Sequence, residues 1–105
     1  MTASAAVAAV DAVAPVEVVG AGPLADEVRR LLAISSRLGT SDVRPAAVIE
    51  TTGEPAAIAA ALARVDYLGT VVLAGPGAPG SIPLDLYADL HVRGLILMGV
   101  PQDGA

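Results

Sequence analysis

Cysteine is absent from these 105 residues, as are tryptophan, phenylalanine and lysine. Without thiols there can be no disulfide, no thiolate nucleophile and no Cys-ligated zinc. His91 is the sole histidine, and one imidazole does not make a zinc site, so no metal is expected. The six cations are all arginines, scattered singly apart from Arg29-Arg30, and 11 acids leave a net charge of −5. No basic stripe can follow a phosphate backbone, which argues against nucleic acid as a partner. No uninterrupted apolar run reaches the roughly 18 residues that a membrane span requires. Residues 1–15 lack a basic leading region and carry Asp11 within their apolar stretch, so a secretory signal is not expected and a cytoplasmic protein is.

What is present is small and apolar. Hydrophobic residues make up 54% of the chain, but only Tyr67 and Tyr87 are aromatic. A chain of this length is a prior for one domain, 1–105, able to bury roughly 60–65% of its unfolded surface. The apolar content exceeds what one small core needs, which points to a second copy covering part of the surface.

The order of elements reads as alternating helix and strand. "ASAAVAAVDAV" (3–13) is a helix ended by Pro15, and "VEVV" (16–19) a strand rich in valine, as buried parallel strands are. Helical spacing of Val28, Leu31, Leu32, Ser35 and Leu38 predicts a helix over 23–38, with Gly39 as its C′ stop. "AAVIE" (46–50) and "GTVVLAG" (69–75) are strands, with a helix entered at Pro55 between them. After the Gly/Pro loop 75–83, read as a rigid connector, a short helix ends at Gly94 and "LILMGV" (95–100) forms the last strand. This alternation predicts an α/β fold: a reduced Rossmann-like domain of about four parallel strands with flanking helices.

Gly20-x-Gly22-x-x-Ala25 stands between the first strand and its helix, where a dinucleotide-binding turn requires it. The first Gly permits a tight turn, the second allows a pyrophosphate to approach, and the third small residue permits close packing. The helix N-terminus adds free N–H groups. A turn kept for packing alone is the competing reading, and Asp26 and Glu27 would repel a phosphate if they faced it. The ribose-binding acid expected about 20 residues after the glycines falls near Asp42, outside any strand; Glu50 ends a strand but lies further on.

From Ala46 onward, "VIETTG", "EPAAI", "GTVVLAG" and "DLHVRGLILMGV", together with "VVGAGPLA", resemble the coenzyme-binding domain of the medium-chain dehydrogenase/reductase family, the zinc-type alcohol dehydrogenase relatives. The resemblance covers about residues 3–100. It implies that Gly20, Gly22, Pro23 and Leu24 face a pyrophosphate, and that Thr51, Thr52 and Gly53 line the nicotinamide ribose. Ala74 and Gly75 would approach the nicotinamide. It further implies a homodimer through the last strand, with Leu95 and Val100 at its ends.

Against the family pattern, "AISSRLGTSDVRP" (33–45) replaces a strand, a helix and a further strand, and with them most of the adenosine pocket. The zinc-bearing catalytic domain has no counterpart either. The expectation is therefore a truncated dinucleotide-binding-like domain with no resident cofactor and at most weak NAD(P) binding.

Three functions stay open. The first is a non-redox accessory protein that binds a protein partner or a small organic ligand. The second is a cofactor-independent enzyme of isomerase or cyclase type, using Glu50, Asp89 or His91 as catalytic groups. The third is an NAD(P)-binding subunit completed by another chain. Each candidate has a structural alternative: Glu50 as a cap on the turn beyond it, and His91, with Asp89 and Arg93, as a surface or interface cluster.

Overall fold

The computed structural model describes residues 2–10, 14–39, 43–75 and 80–101. The expectations for residues 11–13, Asp42 and positions 76–79 of the Gly/Pro loop fall outside them. The elements are α1 (Thr2–Ala9), β1 (Val16–Val19), α2 (Pro23–Ile34), β2 (Ala47–Glu50), α3 (Pro55–Arg64), β3 (Thr70–Leu73), a π-helical turn (Leu86–His91) and β4 (Ile96–Gly99). All four strands are parallel and lie in the order β1-β2-β3-β4. The α/β, Rossmann-like prediction holds.

Alternation along each strand divides the core between two faces. Val16, Val18, Ala47, Ile49 and Val72 pack beneath α1 and α2, where Ala6, Val10, Ala25, Val28 and Leu32 are buried. Val48 and Val71 point the other way, onto Ala61, Leu62 and Val65 of α3 and its C-terminal end. Full burial of a Val or Leu side chain contributes about 1.5–3 kcal/mol, so Val28→Asp or Leu32→Asp would detach α2. Both α2 and α3 begin with Pro at N1, where the missing N–H costs no helical hydrogen bond.

Two local expectations are corrected. Helix α2 ends at Ile34, not at Leu38, and Ser36 in a left-handed conformation (φ 57°), rather than Gly39, follows its end. The physical reason lies on β1. Val16 N–H donates to Arg37 O (2.9 Å) and Val16 O accepts from Gly39 N–H (2.8 Å), so residues 37–39 serve as a stub of strand along β1. The helix before Gly94 is a single π-helical turn, capped by Asp85, whose carboxylate accepts from the N–H groups of Tyr87 (3.0 Å) and Ala88 (2.9 Å).

Candidate functional site

The ends of β1, β2 and β3 converge on Thr51. Its N–H and hydroxyl both donate to Val19 O, at 2.9 and 2.7 Å. A Cβ built on Gly20 would lie 2.1 Å from Thr51 Oγ1, and one on Gly75 would lie 2.1 Å from Thr51 O. Gly20 (φ 116°) and Gly22 (φ 102°) both hold backbone conformations that side chains disfavour. Gly22 is the N-cap of α2 and has open space where a Cβ would be. Gly20 is thus required by the protein's own packing, whereas Gly22 leaves room for something else.

Beside Thr51, Glu50 is fully buried. Its Oε2 accepts from Thr52 N–H (2.9 Å) and Thr52 Oγ1 (2.6 Å), and its Oε1 accepts from Gly53 N–H (2.6 Å). Thr52 Oγ1 in turn accepts from Glu54 N–H (3.1 Å), which ties the turn to the start of α3. A carboxylate with this many donors is a fastening of the β2–α3 turn.

The nine residues proposed for cofactor contact therefore cluster at one end of the sheet: Gly20, Gly22, Pro23 and Leu24 after β1, Thr51, Thr52 and Gly53 after β2, and Ala74 and Gly75 after β3. Open α/β sheets place their ligands at this end. Ala74 is buried and Leu24 packs against the core, so these two contribute mainly packing. The acids of α2 do not load the turn. Glu27 binds the Arg30 guanidinium one turn further on, and Asp26 lies 3.9 Å from that of Arg29.

The three proposed catalytic residues are not brought together. Glu50 ends β2, whereas Asp89 and His91 precede β4 at the other end of the sheet, where Leu68 N–H donates to Arg93 O (2.8 Å) just before β3 begins. Asp89 accepts from Asp85 N–H (2.9 Å), and exposed His91 sits against Tyr87 with ring centroids 5.5 Å apart. Arg93 donates to Leu62 O (2.6 Å) and to Val65 O, and lies 5.7 Å from the centre of the Tyr67 ring. Among the described residues no group of three His, Asp or Glu side chains could hold a metal ion, and no helix is long and apolar enough to cross a membrane.

A recess of about 220 Å³ opens on the α3 face, between Gly53, Ile58, Leu73, Ile82, Leu84 and Leu97. It adjoins the Thr51 turn and is lined mainly by apolar side chains, with Ser81 beside them. Strand β4 beyond it is exposed along its whole length: Ile96 is 52% accessible, Leu97 38% and Met98 37%.

Two features escaped sequence reasoning. One is Arg29, which donates to Val18 O (3.2 Å) and Gly20 O (2.7 Å) on the outer edge of β1; no motif marks a helix arginine for that task. The other is Leu68, 82% exposed in a left-handed conformation (φ 62°).

No family model and no curated protein sequence matches the chain. Solved structures do. A protein assigned as a zinc-binding dehydrogenase from Clostridium scindens superimposes with a TM-score of 0.75 at 20% identity, over 96% of this chain and 40% of its own. L-Idonate 5-dehydrogenase from Escherichia coli gives a TM-score of 0.68 at 15% identity, over 94% of this chain and 38% of its own. At these identities the likeness is one of fold. The chain is built like the Rossmann-type part of a zinc-binding dehydrogenase and spans about 40% of such a protein's length.

Proposed function

We propose that this chain is a non-redox accessory module: a dehydrogenase-type nucleotide fold that acts by binding another polypeptide, in the first instance its own copy, through β4. The observation that carries the reading is the exposure of β4. Parallel strands rich in Ile, Leu and Met are normally covered on both faces, yet Ile96, Leu97 and Met98 are exposed on both, and among the described residues the strand pairs with β3 alone. An apolar edge of this kind is a template for pairing. Two β4 strands meeting antiparallel across a two-fold axis would form one continuous sheet and cover these side chains.

Coenzyme chemistry has weaker support. The glycine turn has the shape for a pyrophosphate, but among the described residues β1 has only the 37–39 stub beyond it, and none of them forms a neighbouring strand that offers an acid to an adenosine ribose. The enzyme reading loses its constellation, since Glu50 is consumed by its turn and His91 stands at the opposite end of the sheet. A small apolar ligand in the recess beside Gly53 and Leu97 is the second reading, favoured by that recess alone. Calorimetric titration with NADH and NADPH separates these readings from a coenzyme-binding subunit. The expected dissociation constant is weaker than about 1 mM, below roughly 4 kcal/mol; micromolar binding would overturn the non-redox reading.

A further inference from the structure

We propose that Arg29 seals the β1 edge of the sheet and so confines self-association to the β4 edge, making the assembly a closed dimer rather than an open-ended fibre. The dimer half of this statement rests on the reading of β4 given above; the role of Arg29 does not.

A four-stranded open sheet has two edges. On β1, Val19 O points inward and is taken by Thr51, so Val16, Val18 and Gly20 direct their polar groups outward. Each outward carbonyl has a partner. Val16 O accepts from Gly39 N–H in the 37–39 stub, and Val18 O and Gly20 O both accept from a single guanidinium nitrogen of Arg29, at 3.2 and 2.7 Å. The Arg29 side chain reaches these atoms from α2 and remains 38% exposed, which places a partly hydrated cation along the line an incoming strand would follow. The exposed Asp26 carboxylate lies 3.9 Å from its other terminal nitrogen.

The β4 edge is the opposite case. Ile96 N–H and Val100 N–H are bonded inward to β3, so Leu97 and Gly99 direct theirs outward, and Ile96–Gly99 contains no charged residue. Charge on an edge strand blocks pairing, and an apolar uncharged edge invites it. If both edges were open, the β4 of one copy could meet the β1 of the next. That contact is heterologous and does not close, whereas β4 against β4 is isologous and stops at two.

The test is sedimentation velocity over a wide concentration range on the wild type, Arg29→Met, Arg29→Gln, and Arg29→Met combined with Met98→Asp, with circular dichroism as the check on folding. Methionine keeps an apolar stem but removes charge and donors; glutamine keeps a polar amide but carries no charge and is too short to reach the two carbonyls from the same backbone position. The wild type should stop at the dimer. Folded Arg29→Met should form species beyond the dimer, with a weight-average mass that roughly doubles or more at high concentration. The double variant should stop at two copies. A folded Arg29→Met with the wild-type distribution would overturn the role of Arg29. If that variant does not fold, Arg29→Gln decides: growth past the dimer supports the seal, and an unchanged distribution overturns it. If the wild type is itself a monomer, the β4 reading fails separately; Arg29→Met passing from monomer to dimer would still support the seal, and remaining monomeric would refute it.

Discussion

Thr52 donates both its N–H and its hydroxyl to the same oxygen of Glu50, at 2.9 and 2.6 Å, and the Glu50 side chain is itself fully buried. Glu50→Gln replaces one acceptor with an NH2 group that must face a donor. The expected loss is about 2–3 kcal/mol of folding stability, since a buried charge-assisted bond is lost and a donor is left unpaired. Urea denaturation reads this directly. A variant as stable as the wild type would return Glu50 to the list of ligand or catalytic groups.

The two glycines of the turn should respond differently to alanine. At Gly20 a methyl group collides with Thr51 Oγ1 as well as forcing a strained φ, so Gly20→Ala should cost about 2–4 kcal/mol. At Gly22 only the backbone conformation (φ 102°, ψ −175°) is unfavourable and the space is open, so the cost should be smaller, about 1–3 kcal/mol. Thermal unfolding of the pair tests the order; equal losses would mean that Thr51 yields easily.

Leu68 holds a left-handed conformation at a price of about 1–2 kcal/mol that its 82% exposure does not repay within one copy of the chain. Its neighbour Tyr67 is exposed as well, as are Leu86, Tyr87 and Val92. Leu68→Gly should stabilise the isolated fold by about 0.5–1 kcal/mol after the entropic cost of glycine. It should also loosen any partner that rests on this tip. Denaturation at low protein concentration, set beside a binding or association assay, checks both signs.

Acid and salt should act on the exposed pair of Glu27 and Arg30. The Arg30 guanidinium holds the Glu27 carboxyl below the usual range, and Glu27 raises Arg30 in return. A depressed carboxylate contributes stability above its unfolded value and loses it as pH falls through the folded one. Glu27→Gln should therefore narrow the gap to wild type as pH drops below the ordinary glutamate range. Added salt should narrow it as well, because the pair lies open to solvent. Melting curves across an acidic series test this, and a gap that widens in acid would contradict it.

The strands are the most legible part of this molecule. "VEVV", "AVIE", "TVVL" and "ILMG" are short β-branched or apolar runs between glycines and prolines, and each forms a strand within a residue or two of its expected bounds. The crossovers follow from parallel pairing, so the sheet was readable as a whole. The end of α2 was not, because helical spacing carries Leu38 in register while the open edge of β1 competes for residues 37–39. The glycine turn announced itself, and the alternative structural role of Glu50 was visible in the TTG that follows it. That Glu50 and His91 lie at opposite ends of the sheet follows from the same parallel pairing, since Glu50 ends one strand and His91 precedes another. Arg29 left no trace, because an arginine on a helix face is ordinary until the strand edge beneath it is known.

The claim that β4 is a binding surface is tested most directly by sedimentation equilibrium of the wild type beside Met98→Asp, a substitution at an exposed position of that strand. The wild type should sediment at twice the 10.4 kDa mass of the chain and the variant, still folded, at the single-chain mass. A wild type that remains a 10.4 kDa monomer at every concentration, or a folded variant that dimerises as well as the wild type, would contradict self-association through β4.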